Sequence, residues 1–167
     1  MDPLSISTAI ITILQATTAV ISVCYDCRAQ LNDEPWSLTR IIDELKVLRN
    51  ILERLEDLAQ DFQRGQGTRN RRIFELLSDS ENGPLANCRQ QMMILDNKIR
   101  DLNSVGTERS KGKALLRVLR WQLKDKDAKK CLEIIERCKN TLSLALDGDQ
   151  TLVKLFTRYL LHPFEFY

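Results

Sequence analysis

The chain has 167 residues, 43% of them hydrophobic and 29% charged, which is enough apolar material for one domain and too much for a disordered polymer. Six glycines and four prolines are too few for an all-β protein built on many tight turns. A formal net charge of +2 is no global signature of nucleic-acid binding.

Asp2-Pro3 is a helix opening: Asp can cap, and proline at the first helical position gives up no needed N–H. The segment it opens runs to about Leu31, and no charged residue occurs between Pro3 and Tyr25. Ile6, Ile10, Ile13, Val20 and Cys24 form one apolar stripe; Leu4, Ile11, Leu14 and Ile21 form a second. Ser5, Thr8, Thr12, Gln15 and Ser22 fall on a narrow polar line, with Ala19 filling the gap. Eleven of the 21 residues from Leu4 to Cys24 are β-branched, which lowers helix propensity, but no turn residue divides the run into strands. The expectation is a helix stabilised by a core or by lipid, and the central or most buried member of whatever it packs into.

Asp33-Glu34-Pro35 is a second cap-and-proline start. From there to about Arg64, Leu38, Leu45, Leu52 and Ala59 recur every seven residues, as do Ile41, Leu48, Leu55 and Phe62. Ile51 and Leu58 widen the face toward bundle packing. Arg64 to Asn70, with two glycines, reads as a loop; Arg71 to Leu77 reads as a short helical piece, and Ser78 to Pro84 as a break. The heptad resumes with Leu85, Met92 and Ile99 beside Cys88, Leu95 and Leu102. Ser104 to Lys113 reads as a polar loop, and Ala114 to Leu123 as a short amphipathic helix. Asp125 or Asp127 can cap a further helix, in which Ala128, Ile135 and Leu142 alternate with Cys131, Cys138 and Ala145; Asp147-Gly148-Asp149 ends it. A last turn or helix spans Gln150 to Leu161. The fold expectation is all-α: a bundle of four main helices plus short accessory helices, with residues 1–148 forming the domain and 149–167 a C-terminal helix or tail.

Candidate chemistry is sparse. Gly106 to Lys113 departs from a phosphate loop in spacing, in carrying Ala114 where Ser or Thr would hold magnesium, and in following no strand. The single histidine, His162, has no partner motif. Cys24-x-x-Cys27 lacks the further ligands of a zinc site; Cys131 and Cys138, seven apart, share a helical face and read as small core residues, and Cys24 also lies on an apolar stripe. The five-cysteine count is odd, and no basic residue precedes Arg28, so there is no signal-peptide n-region; reduced thiols and an intracellular chain are expected. Carboxylates of the second helix interleave with arginine and lysine, as on a solvated face. No catalytic, cofactor-binding or metal residue is assigned, and an enzyme is not expected. Charge is uneven, however: Arg109 to Lys130 carries nine basic and two acidic residues, and Arg64, Arg69, Arg71 and Arg72 have no acid between Phe62 and Phe74. Such clusters can attract an anionic leaflet.

Three stretches carry a resemblance: Met1-Asp-Pro-Leu-Ser-Ile-Ser-Thr-Ala-Ile10, then Arg40 to Leu52, then Leu119 to Asp127 leading into Cys131 to Leu146. In order and spacing they resemble the fungal HeLo-like N-terminal domain of STAND-type NACHT and ankyrin proteins, a family also labelled after an azaphilone-pigment cluster protein. The resemblance spans residues 1–148. It implies a bundle akin to the HeLo and mixed-lineage-kinase-like four-helix domains, and a cell-death or innate-immunity signalling role exerted through self-association and membrane targeting by the first helix. The expected chain is therefore cytoplasmic with recruitment to the plasma membrane. Its expected partners are further copies, anionic lipids and a STAND/NLR-type or other helical protein, with no nucleic acid. The candidates for insertion are Leu4, Ile6, Ile10, Ile11, Ile13, Leu14, Val20 and Ile21; those for anionic-lipid contact are Lys111, Lys113, Arg117, Arg120 and Lys124. The alternative is a soluble interaction or adaptor module that never enters lipid.

Overall fold

A computed structural model describes residues 3–29, 36–65, 68–78, 83–103 and 125–147. Among them are five helices and no strand: α1 (Pro3–Ala29), α2 (Trp36–Gln63), α3 (Thr68–Ser78), α4 (Pro84–Asn103) and α5 (Asp125–Asp147). The all-α bundle is therefore present, with four long helices and the short α3. The expected pieces at Ala114–Leu123 and Gln150–Leu161 lie outside the described residues.

Helix ends follow local chemistry. Gly65 adopts φ +76°, the left-handed region that glycine enters without a Cβ penalty, and its N–H bonds the Phe62 carbonyl at 3.1 Å. Arg64 N–H bonds Gln60 in the same turn, so α2 stops here. Gly83 precedes Pro84, and its carbonyl accepts from Asn87 N–H at 2.9 Å, closing the first turn of α4 with proline at its first position. One boundary differs from expectation: α3 begins at Thr68 inside the segment read as loop. The chain-breaking residues end at Gly67, and nothing in Thr68-Arg69-Asn70 prevents the helix from starting earlier.

The heptads form the core. Leu38, Ile41, Leu45, Leu48, Leu52, Leu55 and Ala59 of α2 are buried, joined by Ile42, while Phe62 is half-buried with its ring 5.5 Å from that of Phe74 in α3. Leu85, Cys88, Met92, Leu95 and Ile99 of α4 are buried, as are Ala128, Cys131, Ile135, Cys138, Leu142 and Ala145 of α5. These belong to one cluster with the buried face of α1.

α1 packs along α2 and α4, and α2 packs along α1 and α5. α4 and α5 close the ring with a thinner contact, and α3 touches α2, α4 and α5. Six residues separate Ala29 from Trp36. That tether reaches ~25 Å at most, whereas each helix is about 40 Å long, so two helices packed along their lengths must run antiparallel. Cys88 meets Cys138, and Lys98 acts on Cys131, so α4 and α5 also run antiparallel.

The expectation that the first helix is central is corrected. α1 is a lateral wall of the bundle: Ser5, Thr8, Thr12, Gln15, Ala19 and Ser22 are all exposed. The isoleucine side buries more apolar area than the line of hydroxyl and amide groups would, so packing hides it and turns the line to water.

Candidate functional site: the outer face of the first helix

Ile6, Ile10, Ile13, Val20 and Ile21 of the insertion candidates are buried against α2 and α4, with Cys24 and Cys27 continuing the same face. Ile11 and Leu14 are half-buried at its margin, and Leu4 stands 64% exposed at the start of the helix. The second apolar stripe is thus split: Ile21 joins the core, and Leu4 faces outward.

The outer face has no formal charge from Leu4 to Tyr25, in a chain that is 29% charged. Its threonines turn inward on the helix itself. Thr8 Oγ1 donates to the Leu4 carbonyl at 2.8 Å, Thr12 Oγ1 to Thr8 at 2.8 Å, and Thr18 Oγ1 to Leu14 at 2.9 Å. Buried Thr17 does the same to Ile13 at 2.8 Å. A hydroxyl already bonded to the carbonyl one turn back exposes a methyl group and a satisfied donor. Transfer of this face from water to an apolar surface therefore costs less than its composition suggests. At its far end Tyr25 carries the Lys46 ammonium 5.5 Å from its ring centroid, which marks the return of charge.

α1 is long and apolar enough to cross a membrane. It also meets the packing needs of a soluble bundle, because Ile10, Ile13, Val20 and Cys24 are fully buried.

The lipid-contact candidates Lys111, Lys113, Arg117, Arg120 and Lys124 lie outside the described residues. In the other basic cluster, Arg71 bonds Glu75 at 2.9 Å and Arg64 lies 3.9 Å from Asp61. The acids come from just beyond the acid-free window, so part of that cluster's charge is locally compensated.

Two relationships were invisible in the sequence. Lys139 of α5 hydrogen-bonds Glu44 of α2 across the helix pair, and also Glu136 at 3.2 Å. Partial burial lowers the pKa of this ammonium, but the bonds to Glu44 and Glu136 outweigh that and hold it above the ordinary lysine value. The clasp borders an open groove lined by Arg40, Glu44, Leu132, Glu133, Glu136 and Arg137. With Lys139 engaging Glu44 and Glu136, the groove presents mutually compensated charge.

The second relationship concerns the thiols, all five buried and free. Burial, then Cys27 and Cys131, pushes Cys24 up to about 12. Burial likewise pushes Cys131 up to about 11, with Lys98 pulling the other way. Among the described residues, no group of three or more His, Cys, Asp or Glu side chains is disposed to hold a metal ion.

Fold and site together define an all-α bundle whose apolar first helix shows an uncharged face to solvent. No family model, no curated protein and no solved structure matches the chain.

Proposed function

We propose that this chain is a non-catalytic signalling bundle that acts at membranes through α1. The carrying observation is the exposed face of α1: uncharged from Leu4 to Tyr25, on a helix of spanning length, with Thr8, Thr12 and Thr18 bonded to their own backbone. In the proposed mechanism α1 leaves the bundle, copies associate, and Leu4 to Val23 inserts, guided by the basic residues of Arg109–Lys130. The motif resemblance to HeLo-like domains supports the same reading, with a cell-death or immune role in the cytoplasm and at the plasma membrane. A STAND/NLR-type or other helical protein is the proposed upstream partner.

A second reading is favoured by the completeness of the α1 core face. A helix with Ile10, Ile13, Val20 and Cys24 sealed in a core is well served where it is, and its outer face then serves as a dry docking surface for another helix. Protein added to anionic liposomes, with dye release and sedimentation both measured, decides between them. Binding with release supports insertion. A chain that neither sediments nor releases dye, and that self-associates in solution, supports the adaptor.

A further inference from the structure

Trp36 is 68% exposed, more than any other large apolar side chain among the described residues, and Tyr25 is 40% exposed. Each ring carries a cation. The Arg40 guanidinium lies 5.3 Å from the Trp36 ring centroid, and the Lys46 ammonium lies 5.5 Å from that of Tyr25. Tyr25 stands one turn before the end of α1, and Trp36 opens α2. The two helices run antiparallel, so both aromatics stand at the same end of the pair. That end is also where the uncharged stretch of α1 stops, because Asp26 and Arg28 follow Tyr25. We propose that this end of the α1–α2 pair is an interfacial membrane anchor: Trp36 and Tyr25 lodge at the headgroup level of a phospholipid bilayer, with Arg40 and Lys46 meeting lipid phosphate.

The anchor rests on the membrane reading above and adds the contact that fixes depth. Trp and Tyr have an apolar body and a polar tip, and the boundary between hydrocarbon and water serves both. A ring that carries a cation cannot sink to the bilayer centre, because the charge would have to follow it. A guanidinium stacked on a ring keeps its N–H donors directed outward in its own plane, where phosphate oxygens can accept from them. Lys46 also lies 3.8 Å from Asp43, so Arg40 is the stronger phosphate partner of the two. Length agrees with this placement. With Tyr25 held at one headgroup level, the helix from Leu4 to Tyr25 extends about 33 Å, enough to cross the ~30 Å hydrocarbon layer.

Trp36 reports on its own surroundings by fluorescence. The chain has two tryptophans, so Trp121→Phe leaves Trp36 as the sole indole. With vesicles of mixed phosphatidylcholine and phosphatidylserine, its emission should shift to the blue. Phospholipid brominated near the top of the acyl chain should quench it more than phospholipid brominated near the chain end. Inorganic phosphate should do neither. Trp36→Ala, a change at an exposed position, should keep the helical circular dichroism and lower sedimentation with the vesicles several-fold. Should Trp121→Phe fail to fold, the difference between the spectra of the unaltered chain and of Trp36→Phe carries the same signal. A chain that sediments and releases dye while Trp36 keeps its emission in solution overturns the anchor and leaves the membrane reading standing. Stronger quenching from the chain ends, an emission shift with phosphate alone, or undiminished sedimentation of Trp36→Ala overturns it likewise. A chain that never sediments overturns both.

Discussion

The Thr12 hydroxyl donates to the Thr8 carbonyl oxygen at 2.8 Å, one turn back along the exposed face of α1. The bond satisfies the donor inside the helix, and so prepares a nominally polar face for contact with something dry. It also leaves the helix of residues 3–25 about 34 Å long, near the ~30 Å hydrocarbon thickness, without one charge to anchor it in water.

A lysine on this face separates folding from insertion. In the bundle, Thr12 and Gln15 are exposed, so Thr12→Lys or Gln15→Lys should leave the thermal midpoint nearly unchanged. Near a bilayer centre each lysine costs roughly 2.5–3.5 kcal/mol per copy. Dye release from anionic liposomes should therefore fall sharply. Equal release by a well-folded variant would show that α1 does not insert.

Binding to lipid should be electrostatic in its first stage. It should weaken between low and physiological salt, where screening acts over about 8 Å. Reversing Lys111, Lys113, Arg117, Arg120 and Lys124 to Glu should weaken sedimentation with anionic vesicles and leave the helical spectrum intact. Undiminished sedimentation would remove this basic stretch from the mechanism.

Leu48 and Leu52 are fully buried on successive turns of α2, where that helix meets its neighbours. Leu48→Ala or Leu52→Ala should each destabilise the protein by about 2–5 kcal/mol in urea unfolding, through lost transfer energy and the cavity left behind. A loss below about 1 kcal/mol at both sites would contradict the packing described for α2.

Alkali should destabilise the reduced protein through its buried thiols. Cys24, pushed up to about 12, and Cys131, pushed up to about 11, stay protonated when folded, while the unfolded chain ionises near the ordinary 9.0. The unfolded state then binds fewer protons, so stability is intact below pH 9 and falls as pH rises toward 11–12. At pH 10 the loss is on the order of 1 kcal/mol for each thiol. Urea melts at successive pH values with reductant present measure it. Cys131→Ala should flatten the slope, and an unaltered slope would move its origin elsewhere.

The period of the apolar residues by itself determined most of the fold. Leu38 to Ala59 and Ala128 to Ala145 repeat at helical spacing, and burial follows those positions because a helix face is a local property of the chain. The same locality made the polar line Ser5-Thr8-Thr12-Gln15 legible as one line on the helix. Which wall of the bundle α1 would occupy was not legible: an apolar helix suits a central place or an edge equally, and the choice depends on what the other helices offer its polar side. Pairings across helices were decided by tertiary structure alone. Glu44 and Lys139 lie 95 residues apart, each among several like-charged neighbours on its own helix, and nothing local distinguishes either. Cys88 and Cys138 likewise read as two small core residues in two separate heptads. Only the antiparallel packing of α4 on α5 brings one thiol to the other, because the relative register of two helices is set by how whole faces interlock and not by either face alone.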